Sequence, residues 1–111
     1  FTNSGSVIVA GAATYTHAPV GCTIGGYVVW ADTGTVTFDV WKIATGTAIP
    51  TVSNTIISGA SYLALSSGTY LRSTTTSSFT TTTVTAHDIF GFKLEAVTGS
   101  PTVAHVELEC Q

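Results

Sequence analysis

An alternation with a period of two runs through this chain and limits what it can fold into. Val36-Thr37-Phe38-Asp39-Val40-Trp41 sends Val36, Phe38 and Val40 to one face. Phe90, Phe92, Leu94 and Ala96 alternate with Gly91, Lys93 and Glu95 in the same way. Ala104, Val106, Leu108 and Cys110 alternate with His105, Glu107 and Glu109. Successive side chains of a strand point to opposite faces, so each run has an apolar and a polar side, as antiparallel sheets over a core require. The same alternation turns Asp39 and Trp41 outward. Tyr27-Val28-Val29-Trp30-Ala31 is apolar on both faces and reads as a central strand, or as one covered by a neighbouring chain.

Further strands are expected at about residues 5–10, 14–17, 21–25, 55–58 and 78–85. Asp32-Thr33-Gly34 predicts a hairpin joining 27–31 to 35–42, and Val97-Thr98-Gly99-Ser100-Pro101 another joining 89–96 to 102–110. Thr, Val, Ile and Gly are poor helix formers, which leaves one turn after Pro50, within Thr51–Ile57, as the only helical expectation. The fold class that follows is all-β: an antiparallel β-sandwich, jelly-roll-like, with residues 1–111 forming a single domain.

Charge is scarce. Charged residues make up 8% of the chain against roughly a quarter in an average soluble domain. With 44% apolar residues the chain is no disordered tail, and little charge repulsion keeps copies of it apart. Lys42, Arg72 and Lys93 are its only cations and they are scattered, which excludes a phosphate-binding surface for nucleic acid. The longest apolar stretches, Val7–Ala10 and Tyr27–Ala31, fall far short of the roughly 20 residues of a membrane helix. The chain opens on Phe1 with neither an initiator Met nor a signal-peptide pattern, so it is expected to be a fragment of a longer protein.

Few residues offer chemistry. Cys22 and Cys110 either form one disulfide or sit as two small buried apolar residues, and no second Cys or His pair stands at zinc-ligand spacing. Neither a G-x-S-x-G elbow nor an H-E-x-x-H helix is present. His105 and Glu107 share the polar face of a strand, which reads as a solvated face, and Asp88 after His87 reads as a turn cap. With Asp32 and Asp88 in turns, no carboxylate pair spans a cleft as glycoside hydrolysis needs. The expectation is a protein that is no enzyme and needs no cofactor or metal.

Aromatic residues remain as binding candidates. Trp41 stands in the outward register as core, subunit interface or ligand platform, and Tyr27 and Trp30 as interface residues of the doubly apolar strand. Tyr62, Tyr70 and Arg72 lie in the Ser/Thr/Gly-rich stretch Ser58–Thr83, where loop aromatics beside an arginine form a recognition surface.

Asp39-Val40-Trp41-Lys42, followed by Ile49-Pro50-Thr51-Val52, Asn54-Thr55-Ile56 and Gly59, carries a resemblance. A Ser/Thr-rich strand, Ala86-His87-Asp88-Ile89-Phe90-Gly91-Phe92 and a closing Thr-Val-x-x-Val-x-Leu strand complete it. Over roughly residues 20–110 the chain resembles C-terminal β-sandwich domains of bacteriophage tail-fibre and receptor-binding structural proteins. Those domains usually carry Gly where His87 stands. The resemblance implies a non-catalytic appendage domain in the virion or outside the cell, a homotrimer that contacts host-surface carbohydrate. It carries over no set of binding residues. A carbohydrate-binding or lectin-like module of a secreted protein, and a purely architectural capsid or fibre domain, are the competing expectations.

Overall fold

The computed structural model describes residues 1–46, 48–67 and 69–111. Eight strands form in chain order: β1 (Ala13–His17), β2 (Cys22–Ala31), β3 (Thr35–Ile43), β4 (Leu63–Leu65), β5 (Tyr70–Ser73), β6 (Thr83–Val84), β7 (Ile89–Thr98) and β8 (Ala104–Cys110). They make two antiparallel sheets packed face to face, an all-β sandwich. One sheet runs β1-β7-β3-β4. In the other β2 is central, with β8 along one side and β5 and β6 end to end along the other. Tyr27, Val29 and Ala31 of β2 meet Val36, Phe38 and Val40 of β3 and Phe90, Phe92 and Leu94 of β7 in a common core. Burying each large apolar side chain there contributes about 1.5–3 kcal/mol.

Both expected hairpins are absent. β2 pairs with β5, β6 and β8, and β3 with β4 and β7, so each of the two turns carries the chain from one sheet to the other. The apolar sides of β2 and β3 must face each other across the core, which adjacent strands of one sheet cannot do. The two turns lie together at one end. A Cβ on Gly99 would stand 2.8 Å from the Gly34 Cα, and one on Gly34 only 2.2 Å from the Thr98 carbonyl oxygen. Both have positive φ, which glycine adopts without steric cost. Asp32 closes the same end by accepting from the Thr102 hydroxyl and from the Thr102 and Val103 amides. Those bonds, the hydroxyl's first, hold its carboxyl below the ordinary aspartate range.

Several expected strands changed extent. The runs at 21–25 and 27–31 are one strand, β2, with an irregularity between Ile24 and Gly26 where it pairs with β8. Residues 5–10 form no strand, because only Ile8 is drawn into the core while Val7 and Val9 stay exposed. Residues 55–58 make only isolated bridges, and of 78–85 only Thr83–Val84 pairs as a strand. β4 and β5 arise instead within the Ser/Thr-rich stretch. A single 3-10 turn at Val52–Asn54 follows Pro50, as expected.

Residues 39–42 and 55–56 build one internal clasp. Asp39 is buried although its register turns it outward. Its Oδ2 accepts from Trp41 Nε1–H at 2.8 Å, and its Oδ1 from the Val40 amide at 2.9 Å and the Thr55 hydroxyl at 2.6 Å. Thr55 bridges to Trp41, and the Ile56 amide bonds the Val40 carbonyl at 2.9 Å. Trp41 closes over Gly91 from one side and Tyr15 from the other. A Cβ on Gly91 would stand 2.9 Å from Trp41 Cε3 and 3.1 Å from Tyr15 Cε1. Asp39 thus keeps its outward register, but Trp41 and Thr55 cover it.

Asp88 caps its turn as expected, its Oδ2 accepting from the Thr85 amide at 2.9 Å, and it also pairs with Lys42 Nζ at 3.2 Å. His87 beside it has φ 71°, in the left-handed region that glycine adopts without strain.

One buried side-chain polar atom lacks a partner among the described residues, Thr37 Oγ1 at the irregularity between Thr37 and Phe38. Thr37→Val keeps the shape and removes the orphaned hydroxyl, so it should raise stability by about 1 kcal/mol. Urea melts of the two proteins check this; a clear loss of stability would show that the hydroxyl has a partner.

Candidate recognition face

The outward side of the β5-β2-β8 sheet gathers aromatic and charged residues from three strands. β2 is apolar on both sides: Tyr27 and Val29 go to the core, Val28 and Trp30 outward. Strand register then builds rows across it. Trp30 stands opposite Tyr70 on β5 and His105 on β8. Val28 stands opposite Arg72 and Glu107, and Gly26 opposite Glu109.

The rings and charges are tied together. The His105 imidazole stacks on the Trp30 indole, centroids 5.3 Å apart and planes 18° from parallel. Its Nε2 lies 3.0 Å from Glu107 Oε2. Arg72 Nε donates to Glu109 Oε2 at 2.8 Å, and that bond, with the carboxylate's charge, raises the guanidinium's already high pKa. Glu109 leans over Gly26, where a Cβ would come within 2.9 Å of its Oε1 and 2.4 Å of the Ser73 carbonyl. Tyr70 is 62% exposed at one end of the aromatic row, and Trp30 is partly buried at its centre. Such exposed polar pairs add little stability. Their effect here is to order charged groups around a ring surface.

The sequence candidates divide by sheet. Tyr70, Arg72 and Trp30 come together on this face. Trp41 does not: it is buried on the outward side of the other sheet, inside the Asp39 clasp, so its readings as ligand platform and interface are corrected. Tyr27 points into the core beside Phe79, ring centroids 6.4 Å apart, and is no interface residue. Tyr62 packs partly buried against the core just ahead of β4, a strand of the opposite sheet from the one that carries Tyr70. His105, Glu107 and Glu109 complete the face, although their sequence reads as a plain solvated side. Their shared register was legible in the alternation; the β2–β8 pairing that sets His105 against Trp30 was not.

Cys22 and Cys110 form a disulfide, their Cα atoms 5.5 Å apart, joining the start of β2 to the end of β8. Among the described residues no three His, Cys, Asp or Glu side chains converge as a metal site would need.

Protein-family models, curated proteins and solved structures were each compared with the chain, and none gives a match.

Proposed function

We propose that this chain is a non-catalytic recognition domain of a virion appendage, and that it holds host-surface carbohydrate on the outward side of β5-β2-β8. The observation that carries the binding role is the row Tyr70–Trp30–His105 bordered by Arg72, Glu107 and Glu109. Sugar rings present apolar C–H faces and hydroxyl edges. An aromatic row takes the first, and ordered carboxylates and a guanidinium bond the second. The viral setting rests on the resemblance of the Asp39–Lys42 and Pro50–Ile56 stretches to phage fibre domains. A disulfide in a chain this small fits an extracellular or virion location.

Glycan-array binding followed by titration of the retained sugar tests the reading. Trp30→Ala and Tyr70→Ala should each weaken binding about tenfold or more, equivalent to about 1.4 kcal/mol, with unchanged circular dichroism. An array on which the protein retains no glycan, or affinity indifferent to both substitutions, would overturn it.

A further inference from the structure

We propose that the free edge of β1 is a self-association surface, on which a second copy of this chain pairs its own β1 antiparallel about a two-fold axis through Tyr15. β1 lies at the end of its sheet with β7 on one side only, and all five of its residues are exposed. The Ala12 carbonyl accepts from Leu94 and the Ala18 amide donates to Asp88, both on the β7 side. Alternation therefore turns the N–H and C=O groups of Ala13, Tyr15 and His17 away from the sheet.

Natural sheets guard such edges with lysine, proline or inward charges. Here the guard is missing: no Asp, Glu, Lys or Arg occurs anywhere before Asp32. Apolar side chains flank the strand instead, with Val7, Val9, Tyr15 and Val20 all well exposed. Beneath β1 a mostly apolar groove opens toward β8, lined by Thr16, Ile24, Phe90, Phe92 and Leu108, with Glu107 of β8 as its one charged residue. A strand added at the β1 edge would lie over that opening.

The charge pattern selects the occupant. A strand from a charged partner finds no opposite charge on β1. A second β1 meets no like charge, the usual penalty of self-pairing. Centring on Tyr15 sets each His17 against the Ala13 of the other copy, so even protonated imidazoles do not oppose one another. Six outward residues, three per copy, then exchange about six backbone hydrogen bonds. The two sheets become one, with both Tyr15 rings on its outward side. This two-fold pairing differs from the threefold association that the phage resemblance implies, and mass distinguishes them.

Light scattering coupled to size exclusion should give the intact protein the mass of a dimer. Tyr15→Lys sets two ammonium groups face to face on the axis and should raise the dimer dissociation constant at least about a hundredfold. Far-UV circular dichroism and a cooperative melt check that this variant still folds. Tyr15→Cys provides a second route, because directly opposed residues stand about 5.5 Å apart at Cα, within disulfide reach. Under mild oxidation it should give a covalent dimer, while Val52→Cys, at an exposed site away from β1, should not. A monomeric or trimeric mass, or Tyr15→Cys that cross-links no better than Val52→Cys, would overturn the proposal. None of these outcomes depends on whether a glycan binds.

Discussion

Replacing Cys22 and Cys110 together by serine should lower the stability of this protein by about 4–5 kcal/mol. The bridge spans a sequence separation of 88 residues, nearly the whole chain. Closing a loop of that length removes conformational entropy from the unfolded ensemble, worth about 4.6 kcal/mol at 25 °C in the chain-entropy account. A small domain has only about 5–15 kcal/mol in total, so the variant should be close to its threshold at body temperature. Thr23 and Gln111 already exchange backbone bonds of 2.8 and 3.1 Å beside the bridge, so the two chain segments are paired without the sulfurs. Denaturant melts of the intact protein, the double variant and the intact protein under reductant measure the effect. A midpoint that moved by less than the equivalent of 1 kcal/mol would refute it.

The second large effect is expected at Asp39. Asp39→Ala leaves the Trp41 Nε1–H and the Val40 amide without their acceptor, and leaves the Thr55 hydroxyl only its longer bond to the Val40 carbonyl at 3.4 Å. A buried donor left unpaired costs about 1–3 kcal/mol, and bonds to a charged acceptor are the stronger kind. The sum is tempered by water entering the gap, and a loss of about 3–4 kcal/mol is expected. Asp39→Asn should recover only part of it, because the amide nitrogen must face a donor wherever it is placed. Thermal melts establish the order: intact protein, then Asn, then Ala. The same variants should release segment 50–57, since Thr55 and Ile56 are the residues that tie it to β3. Hydrogen exchange of the Ile56 amide would report this. If Asp39→Ala melted like the intact protein, the carboxylate would not be the centre of the clasp.

The clasp also bears on the family resemblance. Asp39, Trp41 and Thr55 contact one another, Ile56 bonds the Val40 carbonyl beside them, and Lys42 anchors Asp88 just ahead of β7. The residues on which the resemblance to phage domains rests are therefore structural, and the proposed recognition face lies elsewhere. That face is built from Trp30, Tyr70, Arg72, His105, Glu107 and Glu109, of which only Trp30, Tyr70 and Arg72 stand out in the sequence.

What the sequence by itself determined is the strand character, the faces and the sandwich. Period-two alternation is a local property, set by backbone geometry, so Val36, Phe38 and Val40 could be assigned to one side without knowing any partner. Tertiary structure decided which strand lies beside which. Gly34 and Gly99 mark turns equally well whether the chain doubles back in one sheet or crosses to the other. Only the demand that β2 and β3 face each other across a shared core selects the crossing. From that pairing come the Trp30–His105 stack, the Cys22–Cys110 bridge, the burial of Asp39 and the unpaired edge of β1. Each depends on contacts between residues far apart in the chain, which no local pattern encodes.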